Sequence, residues 1–284
     1  MIALTGATGQ LGRRVIDSLL TKVAPQHIVA IVRSPEKAQE LAAQGVIVRQ
    51  GDYNDPDTLE QALAGVDRLL LISSSEVGQR TVQHQNVIDA AKKNALRFVA
   101  YTSLLHADRS PLGLAEEHRQ TEAALKASGL PYALLRNGWY SENYAASIPS
   151  ALKFNAFLGA AGEGRIASAS RDDYAEAAAV VMTQAEPAAA VYELAGDSSY
   201  TLAEFTAEIA HQSGKPIAWK NLPPQDFAAV LIEAGLPQGL AQMLADSDAG
   251  AAQGGLFDDS HTLSTLIGRV TTPWQETIAA ALKG

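Results

Sequence analysis

The stretch TGATGQLG, Thr5 to Gly12, follows the apolar triplet Ile2 to Leu4 and runs into QLGRRVIDSLL, where Leu11, Val15 and Leu19 recur at helical spacing. The order is strand, tight turn, helix. Gly6, Gly9 and Gly12 carry the spacing GxxGxxG, and each glycine has a task there: a tight turn, close approach of backbone to a bound anion, and close packing of helix on strand. The helix N-terminus adds partial positive charge at the same point. Gly6, Ala7, Thr8, Gly9, Gln10 and Leu11 are therefore expected to cradle the pyrophosphate of a dinucleotide.

Outward from this loop, short apolar runs alternate with amphipathic segments. Runs read as strands are HIVAIVR (27–33), VIVRQ (46–50), RLLLIS (68–73), RFVAYTS (97–103) and YALLRN (132–137). Between them lie a helix capped by Ser34 and opened by Pro35, PDTLEQALA (56–64), a long helix from about Gln79 to Lys93, and AEEHRQTEAALKAS (115–128). This alternation predicts an α/β fold, a Rossmann-like doubly wound parallel sheet with helices on both faces. After Asn137 the pattern loosens into glycine-bearing FLGAAGEG, a strand-like RIASAS (165–170), a helix around Tyr174 to Thr183, and VYELAG. From Thr201 the sequence is mostly helical, interrupted by PIAWKNL. The expected organisation is a dinucleotide-binding domain over residues 1–138 and a smaller, mostly helical substrate region over 139–284, with some later strands returning to the first sheet.

Composition narrows the function classes. The 284 residues are 47% hydrophobic and 19% charged, ordinary for a globular α/β protein. A formal net charge of -9 disfavours nucleic acid or an anionic membrane as the main partner. Cysteine is absent, which removes disulfides, thiolate nucleophiles and cysteine metal sites together. No metal is expected. No run of about 18 apolar residues is available for a membrane span, and the first residues lack the pattern of a signal peptide. A cytoplasmic protein is expected.

The end of the second strand distinguishes the nucleotides. An NAD site usually places an acid there for the ribose 2'-hydroxyl, whereas a 2'-phosphate calls for a cation. This chain has Arg33, which suits phosphate in a bidentate contact, with Ser34 and Lys37 as helpers. NADP is the expected cofactor; the alternative reading of Arg33 is a solvated surface residue. Gly51, Asp52 and Tyr53 follow the third strand, where the adenine edge would lie. Ser73, Ser74 and Ser75 end the fourth and would border the ribose and nicotinamide side.

The set GATGxLG, a strand ending in VR before SPEKA, GDYNDPDTL and LPYALLRNGWYSEN resembles the NmrA-like, atypical branch of the short-chain dehydrogenase/reductases. Within it, the whole chain is similar to the flavin-independent bacterial type 2 NAD(P)H:quinone oxidoreductases. The resemblance implies reduction of a small quinone by NADPH through direct hydride transfer. The proton-transfer pair YxxxK of the main short-chain dehydrogenase branch is missing, since none of the eight tyrosines precedes a lysine at that spacing. Thr102 and Ser103 stand where that branch keeps its carbonyl-orienting serine, and His118 stands where NmrA-like relatives carry lysine. A quinone accepts hydride readily, so the loss is tolerable.

On the resemblance, Asn143 or Tyr140 would hold the charge of a hydroquinone anion, and His118 or water would protonate it. His118 could equally be a solvated helix histidine. Asn137, Gly138, Trp139, Tyr140, Ser141 and Glu142 follow the sixth strand and would face the nicotinamide. Asn137 departs from the proline that many relatives carry after the arginine. The competing function is a non-catalytic NADP-binding redox sensor of the NmrA type.

Overall fold

The computed structural model describes residues 1–187 and 189–283. The chain begins with β1 (Ile2–Leu4), α1 (Gln10–Leu20), β2 (Ile28–Val32), α2 (Gln39–Ala43), β3 (Ile47–Gln50), α3 (Pro56–Ala62), β4 (Arg68–Leu71) and α4 (Arg80–Lys93). It continues through β5 (Phe98–Leu104), α5 (Ala115–Ser128), β6 (Tyr132–Asn137), α6 (Ser141–Ala145), α7 (Ile148–Phe154), β7 (Ala156–Gly159), α8 (Arg171–Thr183) and β8 (Ala190–Leu194). The remainder forms α9 (Leu202–Ser213), β9 (Ala218–Asn221), α10 (Pro224–Glu233), α11 (Gln238–Ala252), α12 (Thr262–Ile267) and α13 (Trp274–Lys283).

Two compact units emerge. The first holds Met1–Leu104, Glu116–Asn137 and Arg171–Tyr192; the second holds Leu105–Ala115, Gly138–Ser170 and the chain from Glu193 onward. The chain leaves the first unit between residues 137 and 138, but a single cut there misses two excursions. Residues 105–115 join the second unit, and residues 171–192 return to the first. The return has a packing reason. Ala175, Ala177, Ala178 and Ala179 are buried on α8, and small side chains let that helix lie close along α1. Arg68 at the start of β4 donates to the carbonyls of Met182 at 2.9 Å and Gln184 at 2.6 Å.

The sheet of the first unit runs β3-β2-β1-β4-β5-β6-β8. Leu4 pairs with Ala30 on one side and Leu70 on the other, both parallel. Chain order therefore reverses at β1, between β2 and β4, and the carboxyl ends of those strands flank the crevice where open α/β sheets bind ligands. Every residue of β2 and β5 is buried. Helices cover both faces of such strands, which is why they read as unbroken apolar runs rather than alternating ones. Against one face, Leu59, Leu63, Val87, Ile88 and Ala91 pack on Ala3, Val29, Ile31, Leu69, Leu71 and Val99. Each fully buried aliphatic side chain there contributes about 1.5–3 kcal/mol.

Two local expectations fail for backbone reasons. Ser34 makes no side-chain cap; Pro35–Ala38 forms a 3-10 turn, closed by Lys37 N–H donating to the Ser34 carbonyl at 3.0 Å, before α2 starts. RIASAS forms no strand either. Its N–H groups go to three separate segments: Ile166 to the Tyr200 carbonyl, Ala167 to Leu256 and Ala169 to Trp139. In the same second unit the short apolar PIAWKNL supplies β9, which pairs in parallel with β7 so that Phe157 faces Trp219 in register.

Candidate functional site

The glycine loop is shaped as its spacing predicts. Gly6 has φ +61, the left-handed region that favours glycine, and its carbonyl accepts from Gly9 N–H at 2.9 Å. A Cβ on Gly12 would lie 2.3 Å from the Gly6 carbonyl oxygen and 2.8 Å from Ala7 Cα, both immovable backbone. A Cβ on Gly9 would meet the Gly6 oxygen at 3.1 Å. Gly9 is the N-cap of α1 and supplies no side-chain cap, and the first turn carries no acidic residue. The first amides and the positive end of the helix dipole are thereby left for an external anion.

These residues open onto a cavity of about 680 Å³ within the first unit. Gly6, Thr8, Gly9, Gln10 and Leu11 line one end; Arg33, Ser34 and Lys37 line another; Ser73, Ser74 and Ser75 lie along the end of β4. Ala7 is fully buried and is not among the lining residues. Gly51, Asp52 and Tyr53 line the wall expected for adenine. The Tyr53 hydroxyl lies 2.6 Å from the Ile72 carbonyl and 2.7 Å from Thr5 Oγ1, so it staples the ends of three strands behind the loop. Burial pushes its pKa up, and it stays a neutral phenol. The glycine cradle, an uncapped helix terminus and a cation at the end of β2 fit an NADP-type dinucleotide.

Two lining residues carry no motif. Glu76 accepts from Arg33 Nη1 at 3.1 Å through Oε1 and from Gln83 Nε2 at 2.8 Å through Oε2. Gln83 is 1% exposed, and its Oε1 has no hydrogen-bond partner among the described residues. Acidity beside Arg33 follows a serine run 43 residues away, and no local pattern announces it.

The expected proton-handling groups lie deeper. Thr102 Oγ1 accepts from Ser73 N–H at 2.8 Å. The Ser103 hydroxyl donates to Glu122, whose carboxylate takes Nε and Nη2 of Arg136 at 2.9 and 2.7 Å. A serine so held orients an ion pair rather than a carbonyl. His118 is 5% exposed, with Nδ1 2.7 Å from the Tyr101 hydroxyl. It is thus no solvated surface residue. Burial first, then Arg80 and His84, lower its pKa to about 3, so it is neutral at pH 7. His84 is held likewise at about 3: its Nε2 accepts from Ser74 N–H at 2.9 Å, which places the proton on Nδ1, 2.9 Å from Thr121 Oγ1.

Asn137 ends β6 in the first unit, 5% exposed, its Oδ1 buried without a hydrogen-bond partner among the described residues. Gly138, Trp139, Tyr140, Ser141, Glu142 and Asn143 belong to the second unit and are not among the residues that line the cavity. There Gly138 N–H donates to the Leu194 carbonyl at 2.8 Å, and Trp139 is buried. Ser141 Oγ lies 2.8 Å from Ser168 Oγ, itself 2.7 Å from the Tyr200 hydroxyl. Tyr140 is the N-cap of α6, and Asn143 N–H donates to its carbonyl at 3.0 Å. Among the described residues, no group of three or more His, Asp or Glu side chains is placed to hold a metal ion. No helix there is long and apolar enough to cross a membrane.

Strand order, glycine loop and cavity define a dinucleotide-binding α/β protein. Residues 6–185 match the model of the NAD(P)H-binding family, and the chain belongs to that family. It is 62% identical to quinone oxidoreductase 2 of Escherichia coli (strain K12), covering 98% of each chain. The crystal structure of the E. coli NADPH-dependent quinone oxidoreductase complexed with NADPH superposes with a TM-score of 0.97 over 99% of both chains, at 62% identity. A Citrobacter triphenylmethane reductase complexed with NADP(H) superposes with a TM-score of 0.95 at 37% identity, over 99% of this chain and 100% of that one.

Proposed function

We propose that this protein reduces small quinones to hydroquinones with NADPH, by direct hydride transfer and without flavin. The observation that carries the reading is the 62% identity, over 98% of each chain, to the E. coli quinone oxidoreductase. The cavity supports it with a cation, Arg33, where a 2'-phosphate would lie. The chain's acidic, cysteine-free composition suits a reducing cytoplasm.

When bound, NADPH supplies the hydride. The chain's own residues do the rest. The first amides of α1 would hold the pyrophosphate, and Arg33 with Ser34 and Lys37 would hold the 2'-phosphate. Ser73, Ser74 and Ser75 would border the ribose, and Asn137 to Glu142 would be the residues on the nicotinamide side. Asn143 and Tyr140, at the start of α6, donate to the quinone oxygen as it gains negative charge. The hydroxyl chain from Ser141 through Ser168 to Tyr200 fixes where that helix begins. One hydride and one proton complete the hydroquinone. Water supplies the proton, because a buried, neutral imidazole such as His118 is a poor acid at pH 7.

Steady-state kinetics with a benzoquinone test the division of labour. Asn143→Ala should raise KM or lower kcat by the equivalent of about 1 to 3 kcal/mol, the loss of a donor to a developing charge. His118→Ala should lower the rate only modestly. A loss on the order of 10² to 10⁴ on His118→Ala would mark that histidine as the general acid and overturn the role given to water.

A further inference from the structure

Arg33 does not wait alone for a phosphate. Its Nη1 donates to Glu76 Oε1 at 3.1 Å, and both residues line the same cavity. The carboxylate is aimed rather than free to sweep through solvent. Gln83 Nε2, on a side chain 1% exposed, donates to Glu76 Oε2 at 2.8 Å and also to Asn54 Oδ1 at 3.2 Å. Ser74 Oγ accepts from Glu76 N–H at 3.1 Å. Glu117 Oε1 accepts from the N–H groups of Gly78 and Arg80 at 3.0 and 3.2 Å, anchoring the far end of the loop. All of these residues belong to the first unit.

A phosphate monoester carries nearly two negative charges at neutral pH. Placed on Arg33, it must share the guanidinium with a carboxylate or displace it. A ribose 2'-hydroxyl meets the opposite situation, since an aimed carboxylate is its natural acceptor. We infer that Glu76 sets the discrimination between NADPH and NADH: it competes with the 2'-phosphate for Arg33 and accepts from a 2'-hydroxyl. Preference for NADPH is therefore weaker than Arg33 alone would give, and NADH remains a usable ligand. Specificity is a difference between two affinities, and one repulsive group is enough to trim it. The inference rests on the reading of Arg33 as the 2'-phosphate partner.

Glu76→Gln removes the charge while keeping an amide oxygen for Gln83, so it separates electrostatics from the tethering of the loop. Calorimetric titration with 2',5'-ADP, 5'-AMP, NADPH and NADH reads the outcome without turnover. The two 2'-phosphate ligands should bind about three- to tenfold more tightly to the variant, the scale of one partly exposed charge contact. That gain should shrink at high ionic strength, and 5'-AMP and NADH should bind equally or more weakly. An unchanged ratio of 2',5'-ADP to 5'-AMP affinity, or weaker binding of 2',5'-ADP, overturns the inference. Arg33→Ala, titrated alongside, should weaken 2',5'-ADP and spare 5'-AMP. If it spares both, the reading of Arg33 falls and takes the inference with it; if it weakens 2',5'-ADP while Glu76→Gln changes nothing, only the role of Glu76 falls.

Discussion

At the scale of single residues, His84 and His118 make a claim about stability rather than catalysis. Burial holds both near a pKa of about 3, with Arg80 adding to it, against roughly 6.5 in an unfolded chain. Between those values the unfolded chain binds more protons, so stability is full above about pH 6.5 and is lost as pH falls. Each histidine contributes at most about 1.4 kcal/mol per pH unit in that window. Urea unfolding at pH 7, 6 and 5 should show a falling midpoint, and His118→Phe should flatten the fall. Parallel pH profiles for the two proteins would show that His118 titrates in the fold as freely as in the unfolded chain.

The same residue shows how far the sequence could be read. Arg33 stands out because it ends an apolar run, where strand order fixes its place. Nothing local marks His118 as buried, because its cover comes from Tyr101 on a neighbouring strand and Arg80 on another helix. Glu76 and Gln83 were silent for a similar reason: their partners are assembled by the fold, at no periodic spacing.

At the scale of elements, the turn between β1 and α1 tolerates little change. Gly12→Ala would push a methyl carbon to 2.3 Å from the Gly6 carbonyl oxygen. The loop must open or α1 must shift, and the cradle is lost in either case. NADPH titration should show at least a tenfold loss of affinity, with far-ultraviolet circular dichroism near that of the unsubstituted protein. Unimpaired binding by a folded Gly12→Ala protein would place the pyrophosphate elsewhere. This element was legible because glycine spacing, strand and helix all point to one geometry. RIASAS reads as a strand because its alternating small and polar residues satisfy that pattern, yet its hydrogen bonds are scattered over three partners that lie far apart in sequence.

At the scale of the whole molecule, the parallel sheet was visible in alternating runs, whereas the return of α8 to the first unit was not. An alanine-rich helix declares that it will pack closely but not against what. Similarity to the E. coli quinone oxidoreductase extends over 98% of both chains and so embraces both units. The central claim is that hydride passes directly from NADPH to a quinone. It is tested by a single turnover of flavin-free protein with excess benzoquinone, using NADPH deuterated at the transferred position. The account predicts rapid oxidation of the bound NADPH with a primary isotope effect and no flavin in the active protein. Protein that binds NADPH tightly yet leaves every benzoquinone and naphthoquinone unreduced would contradict it, and would leave a dinucleotide sensor in its place.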